Sequence, residues 1–245
     1  MANKQPKLMK VTPLTPTTML TRPSETIHKR VIFLINNMSD LNIEQVAKEI
    51  SAIVPQNCEN WLGLFLISRC KMETNLIDLY STFINAYVEY SKDFSLVIIE
   101  SIKKESDTIL RKCTIDVRAM NYLRNLGNFL GRLTLAKDIH ICIDLKGLLR
   151  DCYQDYKESM EYILPFVCHI LRGLKSSKVI TKFHPWSQEI LAIVKELYDL
   201  TDKISIQFEI ELLFNYLNST LAEIRSAFYL RHNPKNRHPC NLRIG

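Results

Sequence analysis

The sequence predicts an all-α fold in which antiparallel helical hairpins stack into a HEAT-like solenoid of about ten helices. The chain has six glycines in 245 residues. A β fold with many tight hairpins needs more, because glycine supplies the positive-φ positions of such turns. Apolar residues recur at helical spacing along most of the chain. Hydrophobic content of 47% and charged content of 24% are ordinary for a globular protein, so one large helical domain is expected.

Caps and prolines mark the first helices. The first is predicted to start at Pro23–Ser24, where apolar positions begin to fall on one face. Asn42, with Gln45 three positions later, has the pattern of a capping box and predicts the start of a second helix that Pro55 ends. The remaining helices are predicted over Glu59–Cys70, Glu73–Tyr87, Phe94–Leu110, Ile115–Leu135, Leu145–Tyr156, Ser159–Leu174, Ser187–Leu200 and Ile206–Ala227.

The segment Ile204–Leu217 is apolar on more than one side. A single buried stripe would leave half of its apolar side chains in water, so the helix is predicted to be packed from two directions. Stacked hairpins provide such packing, because each hairpin covers the flank of the next. No repeat period is visible in the sequence, so the stacking is inferred from burial rather than from self-similarity.

Two glycines lie four positions apart in one predicted helix, at Gly127 and Gly131. Each costs about 1 kcal/mol relative to alanine in a helix interior. The spacing predicts that a neighbouring backbone approaches closely along that face, with a close-fitting groove for a partner as the second interpretation.

The positive charge lies at the two ends of the chain. Residues 1–24 carry four basic residues and residues 225–245 carry five, without any acid, which leaves −3 of the total +6 for residues 25–224. Residues 1–23 are rich in proline and threonine and are predicted to be a disordered leader. Residues 24–228 are predicted to form the helical-repeat domain, and residues 229–245 a basic disordered tail. The body therefore offers no electrostatic case for RNA binding, which is expected only indirectly or weakly through the tails.

The cysteines and the hydropathy pattern bear on the compartment. The seven cysteines are scattered without a CxxC pair, which favours free thiols in a reducing compartment. The N-terminus lacks the apolar core of a signal peptide. The longest uncharged apolar stretch, Tyr162–Leu171, is half the roughly 20 residues that a bilayer needs. A soluble, intracellular protein with no membrane partner is expected.

Candidate catalytic and metal-binding residues are few. The soft ligands His140, Cys142, Cys152, Cys168 and His169 lack the paired spacing of zinc modules. Buried cysteines with a surface histidine are the preferred interpretation. Glu209 and Glu211, two apart on a helix, point to different sides and form no acid–base pair. No nucleotide-binding or hydrolase motif occurs. We therefore expect no enzyme activity, no cofactor, no metal and no small-molecule substrate.

Polar side chains are interleaved with apolar ones in two neighbouring regions. One is a single predicted helix, and the other is the turn between the third and fourth helices. Helix ends and loops on a rigid scaffold are where binding residues concentrate, although each residue taken singly could belong to a solvated face. These residues are Arg124, Asn125, Asn128, Arg132 and Lys137 in the helix, and Arg69, Lys71, Glu73 and Asn75 in the turn.

The same residues carry a family resemblance. The run Tyr122–Lys137 resembles Leu-Lys-Asn-Leu-Gly-His-Trp-Leu-Gly-x-Ile-Thr-Leu-Ala-Lys, found in the middle domain of the Not-family scaffold subunit of the CCR–NOT complex, with Asn128 and Phe129 in place of His-Trp. That domain is similar to the middle domain of translation initiation factor four-G. The resemblance covers about residues 22–224 and includes the segments Arg69–Tyr80, Pro165–Trp186 and Ile206–Leu212.

The resemblance implies a non-catalytic docking scaffold of the CCR–NOT complex. Residues 24–228 would dock a Caf/Pop-type deadenylase, a DEDD-family exonuclease, on a surface whose residues the motifs do not locate. A DEAD-box RNA helicase would dock on a second surface. Such a scaffold supports poly(A)-tail shortening, mRNA decay and translational repression in the cytoplasm, with P-bodies and the nucleus as further locations. The helicase surface would comprise Arg69, Glu73, Asn75, Asn125, Asn128 and Arg132.

Two other functions stay open at this point. One is an initiation-factor-like translation domain. The other is an RNA-binding helical domain that acts through its basic tails.

Overall fold

The computed structural model describes residues 21–112, 115–154 and 159–232, and every regular element in those ranges is helical. Short 3₁₀ turns extend several helices, for example Thr74–Leu76 before the fourth and Arg172–Lys175 after the eighth. The α-helices are α1 (Glu25–Asn36), α2 (Ile43–Ile53), α3 (Glu59–Met72), α4 (Ile77–Tyr87), α5 (Phe94–Leu110), α6 (Val117–Leu133), α7 (Leu145–Gln154), α8 (Met160–Leu171), α9 (Pro185–Leu200), α10 (Ile204–Tyr216) and α11 (Tyr229–His232).

The helices form two layers. The helices α2, α4, α6, α8 and α10 pack side by side in one layer, and α3 against α5 and α7 against α9 form the other. A continuous apolar core runs between the layers from Val31 in α1 to Leu230 in α11. This arrangement confirms the predicted stack of helical hairpins. None of the described helices is both long and apolar enough to cross a bilayer.

Short polar side chains cap the N-termini of two of the helices. The Ile27 N–H donates to Ser24 Oγ at the start of α1, and the Ala119 N–H donates to Asp116 Oδ1, 2.7 Å away, at the start of α6. Such contacts satisfy backbone donors that have no partner inside the helix.

The capping box predicted at Asn42 is wrong. The Asn42 side chain makes no capping bond to α2. Its Oδ1 accepts from the Ser39 N–H at 2.7 Å, and its Nδ2 donates to the Asn37 carbonyl at 3.0 Å. The asparagine therefore closes the turn between α1 and α2 instead of capping the helix after it.

The central contact joins α6 to α8 through glycines. A Cβ atom added to Gly127 would lie 2.6 Å from the Phe166 carbonyl oxygen, and one added to Gly131 would overlap the Ile170 carbonyl group. No side chain fits at such distances, so the two backbones approach each other directly. The predicted close approach is confirmed.

The long last helix predicted over Ile206–Ala227 is wrong beyond Tyr216. Asn218 adopts a left-handed conformation with φ of 52°, which ends a helix much as a C-terminal glycine does. The Ser219 N–H turns back to the Phe214 carbonyl at 3.0 Å. The chain then runs without regular helix, apart from the 3₁₀ turn Leu221–Glu223, to α11.

The predicted tail begins within the fold. Glu196 of α9 is fully buried, and its carboxylate accepts backbone N–H bonds from Tyr229, Leu230 and Arg231 at 2.9, 3.1 and 3.3 Å. Residues 229–232, which were predicted to belong to the tail, thus form α11 and contact α9. The rest of the predicted leader and tail, residues 1–20 and 233–245, and the end of the helix predicted to Tyr156 lie outside the described residues.

Helix α10 packs against two neighbouring helices, in agreement with the predicted packing from two directions, but one side of it is not covered by the described residues. Its inner side packs on α8 and α9. Its outer side is open, and Ile204, Phe208 and Leu212 are 80%, 58% and 38% exposed. The sequence shows which sides of a helix are apolar, whereas the arrangement of the neighbouring helices decides which of those sides are covered.

Candidate functional site

A line of polar side chains crosses the molecule where α3 turns into α4 and both meet α6. We call it the polar seam and define it by the residues that hold it together. Its members are Asn36, Arg69, Glu73, Thr74, Asp78, Tyr80, Asn125, Asn128 and Arg132.

The first part of the seam is organised by Arg69 in the last turn of α3. Its Nε lies 3.1 Å from Glu73 Oε2, and its Nη2 donates to Asn36 Oδ1 at 2.8 Å. The Tyr80 hydroxyl donates to Glu73 Oε2 at 2.5 Å. Burial and this hydrogen bond to a carboxylate raise the pKa of Tyr80 to about 12. The arginine is therefore held in place by groups from α1, from α4 and from the turn between α3 and α4.

The second part is organised by Asn125 of α6, which is only 7% exposed. Its Nδ2 donates to the Lys71 carbonyl at 2.8 Å, and its Oδ1 accepts from the Thr74 hydroxyl at 3.2 Å. Both ends of the amide are used inside the protein. Asn125 thus fixes the turn between α3 and α4 on α6 and is itself covered.

The third part is an ion pair between α6 and α4. Arg132 pairs with Asp78, and its Nε donates to Asn128 Oδ1 at 3.3 Å. Asp78 is 65% exposed at its side chain, so this part of the seam faces solvent. Each of the two carboxylates, Glu73 and Asp78, is thus paired with an arginine.

The structure therefore brings together five of the six residues predicted for the helicase surface. The sixth, Asn75, is exposed in the 3₁₀ turn Thr74–Leu76 beside Thr74. The sequence did not point to the other four members of the seam, Asn36, Thr74, Asp78 and Tyr80. Asn36 and Asp78 lie tens of residues away from their arginine partners in the sequence, and no residue near either of them indicates such a partner.

A second surface is an open cleft of about 440 Å³ on the outer side of α1 and α3. The Trp61 ring stacks on Phe65 with centroids 5.8 Å apart, and the edge of His28 meets Trp61 at 5.4 Å. Leu64 and Met72 lie exposed on the same outer side of α3. The lining residues are Arg22, Pro23, Glu25, His28, Trp61, Leu64, Phe65 and Ser68.

The soft ligands considered in the sequence are dispersed. His140 packs edge-on against Trp186, and Cys142 is exposed. Cys152 and Cys168 are buried, and burial raises the pKa of both thiols. Within the described ranges, no three histidine, cysteine or acidic side chains are placed to hold a metal ion.

His169 is not the surface histidine that was predicted. Its side chain is 14% exposed, with Nε2 3.7 Å from Glu209 Oε1. Burial first, and then the charges of Arg172 and Arg124, lower its pKa to about 3. These effects outweigh the attraction of the glutamate. Glu211 faces elsewhere and accepts from the Tyr198 hydroxyl at 2.8 Å, as expected for two glutamates on different sides of a helix.

The fold and these surfaces define a class of protein, a helical-repeat domain that presents side chains for other proteins to dock on. Residues 19–239 match the family described as "CCR4-NOT transcription complex subunit 1 CAF1-binding domain". The chain belongs to this family. The resemblance to the scaffold subunit of the CCR–NOT complex is confirmed, and with it the assignment to a non-catalytic scaffold family.

Individual relatives agree with the family. The chain is 30% identical over 233 residues to "CCR4-NOT transcription complex subunit let-711" of Caenorhabditis elegans, covering 88% of this chain and 9% of that protein. It is 28% identical over 215 residues to "General negative regulator of transcription subunit 1" of Schizosaccharomyces pombe and 29% identical over 215 residues to the protein of the same name in Saccharomyces cerevisiae. Each of these two matches covers 85% of this chain and 10% of the relative. The chain thus spans about a tenth of the length of the curated relatives it matches.

Proposed function

We propose that this domain is a docking scaffold that tethers a Caf/Pop-type deadenylase and a DEAD-box RNA helicase to messenger RNA in the cytoplasm. The chain itself supplies no chemistry. It acts by raising the local concentration of its guests, which for short tethers reaches the millimolar range. The observation that carries the proposal is the family's description as a CAF1-binding domain. Poly(A)-tail shortening, mRNA decay and translational repression follow from the guests.

The deadenylase is proposed to dock on the outer side of α1 and α3. Helix α3 carries apolar residues on its outer side as well as toward the core, and Leu64 and Met72 are exposed there. An apolar side that points outward is favoured where a second protein covers it. The Trp61 and Phe65 rings stack on each other and line the cleft, with Trp61 mostly buried, and Leu64 is exposed beside them. Aromatic anchors of this kind dominate the energy of stable interfaces.

The helicase is proposed to dock on the polar seam. Arg69, Asn128 and Arg132 supply its half-exposed groups, Glu73 holds Arg69, and Asn75 is exposed beside the seam. Polar and charged groups that are already oriented give specificity and fast association more than raw affinity. Asn125 has a different part in this proposal, because its amide is covered. It positions the turn that carries Glu73 and Asn75.

Titration calorimetry with a purified Caf-type deadenylase tests the first surface. Leu64→Asp places a charge on the outer side of α3 without touching the core, and we expect it to weaken binding at least tenfold. Val179→Asp, at another exposed apolar position, is the matched control and should bind normally. Failure of the unaltered chain to bind at micromolar concentrations would sink deadenylase docking itself. Equal binding by the two variants would contradict only the placement of the deadenylase on α1 and α3.

The helicase surface is tested by pull-down with a purified DEAD-box helicase. Asn75→Ala combined with Asn128→Ala removes one exposed group beside the seam and one half-buried group within it. The double variant should reduce capture several-fold, while circular dichroism shows unchanged helix content. Arg118→Ala, which alters an exposed residue in the first turn of α6, is the control. Undiminished capture by the double variant would contradict docking of the helicase on the polar seam.

RNA binding through the ends of the chain is the second candidate, because residues 1–24 and 225–245 are basic and lack acids. Removing residues 1–20 and 233–245 should abolish any RNA binding and leave deadenylase binding intact. RNA affinity that persists in the shortened chain would place an RNA site on the helical body.

A further inference from the structure

The outer side of α10 carries an apolar stripe that nothing in the described part of the chain covers. Ile204, Phe208 and Leu212 follow one another at intervals of four residues and are all exposed. Residues at this spacing lie above one another on a helix. The stripe is about 12 Å long, from the rise of 1.5 Å per residue. We call these three residues the α10 stripe.

Positive charge lies along one edge of the stripe. Tyr216, one turn beyond Leu212, has Arg172 over its ring at 5.5 Å and Lys175 at 4.5 Å. Arg124 of α6 reaches the same edge, where its Nη2 lies 3.8 Å from Glu209 Oε2. This group therefore contains three cations, Arg124, Arg172 and Lys175, and one carboxylate, Glu209, so this edge carries a net positive charge.

The same edge contains polar atoms with unused hydrogen-bonding capacity. Buried side-chain nitrogens and oxygens in proteins normally have a partner. Here four of them have no hydrogen-bond partner among the described residues, and all four belong to this one group. They are Arg124 Nε, His169 Nδ1, Arg172 Nε and Glu209 Oε1.

We propose that the α10 stripe and its basic edge dock an acidic, amphipathic helical segment of another protein. Apolar side chains at i, i+4 and i+8 match the apolar face of a second helix packed alongside. Acidic residues on the flank of that helix would meet Arg124, Arg172 and Lys175. The site is distinct from the α1–α3 cleft and does not depend on the deadenylase or helicase assignments.

A protein segment fits this surface better than RNA does. Two of the three stripe residues, Ile204 and Leu212, are aliphatic, whereas single-stranded RNA is held by aromatic rings and a continuous basic track. An acidic peptide helix can place its carboxylates near the arginines and its apolar face on the stripe.

Fluorescence anisotropy with two synthetic helical peptides tests the proposal. The first has leucine at i, i+4 and i+8 and glutamate on its flanks, and the second replaces each glutamate by lysine. We expect the acidic peptide to bind in the micromolar range and at least tenfold more tightly than the basic one. Phe208→Asp and the pair Arg172→Glu, Lys175→Glu should each weaken it at least tenfold. Phe183→Asp, which alters another exposed phenylalanine, should leave it unchanged.

Three outcomes would overturn the proposal. The first is the absence of acidic-peptide binding at several hundred micromolar, or equal affinity for both peptides. The second is oligo(A) RNA binding to the chain that Phe208→Asp abolishes, which would make the surface an RNA site. The third is concentration-dependent dimerisation in sedimentation that Phe208→Asp abolishes, which would make the occupant a second copy of this chain.

Discussion

The side-chain amide of Asn125 donates a hydrogen bond to the backbone carbonyl of Lys71, 2.8 Å away and 54 positions earlier. The same amide accepts a bond from Thr74. A residue that looks like part of an exposed polar face in the sequence is thus the point at which α6 holds the turn between α3 and α4. The geometry of the polar seam depends on this buried contact.

Replacing Asn125 by alanine is expected to lower the free energy of unfolding by about 1–3 kcal/mol. The reason is that the Lys71 carbonyl loses its amide donor in a covered position, and an unsatisfied buried group keeps its desolvation penalty. Urea denaturation measures the change. Asn121→Ala, at an exposed position of the same helix, should change stability by less than about 0.5 kcal/mol. Similar losses for both variants would show that the Lys71 contact contributes nothing particular.

Two glycine-to-alanine changes should have opposite effects. Gly131→Ala would push a methyl group into the Ile170 carbonyl, and overpacking of this kind costs about 1–3 kcal/mol. At Gly63 the new Cβ would lie 3.4 Å from Ile98 Cγ1, an ordinary contact. Gly63→Ala should therefore stabilise α3 by up to about 1 kcal/mol through helix propensity. Thermal unfolding compares the two, and a stable Gly131→Ala variant would contradict the close packing of α6 on α8.

Stability should fall in acid because of His169. The unfolded histidine takes up a proton near pH 6.5, whereas the folded one does so near pH 3. Between these values the unfolded chain binds more protons, so the free energy of unfolding decreases as the pH is lowered through this window, by at most about 1.4 kcal/mol per pH unit. His169→Gln removes this dependence. Chemical denaturation at several pH values measures the free energy of unfolding of both proteins. As the pH is lowered toward 3, we expect this free energy to fall less for the variant than for the unaltered chain.

His28→Gln is the control for the acid effect, because the His28 side chain is 40% exposed. It should follow the unaltered chain across the same pH range. Parallel curves for His169→Gln and the unaltered chain would mean that His169 takes up its proton at the same pH in the folded and the unfolded chain.

Glu196→Gln should release α11. The carboxylate accepts three backbone N–H bonds at the start of that helix, and a glutamine would place an amide NH₂ against the same donors. Hydrogen bonds to a charged group contribute about 1.5–3 kcal/mol. Amide hydrogen exchange at Tyr229, Leu230 and Arg231 should accelerate at least tenfold. Glu189→Gln, on the same helix but solvent-exposed, should leave their exchange unchanged.

Features that depend on residues close together in the sequence could be predicted from it. Helix α5 runs over the predicted residues Phe94–Leu110, because its apolar periodicity is continuous. The close approach at Gly127 and Gly131 was also predictable, since two glycines in one helix interior need a reason. The family resemblance rested on local runs as well, and the family match over residues 19–239 confirms it.

By itself, therefore, the sequence determined the helical class and most helix boundaries, since these depend on interactions within a few residues. It also determined the family, because the matching runs can be read directly from the sequence. Only the tertiary structure decided that Asn125 is covered, that Asp78 meets Arg132 and that the outer side of α10 is open. The physical reason is that hydrogen bonds and burial across many tens of residues depend on how the helices stack. A helix that is apolar on two sides does not record which side its neighbours will cover.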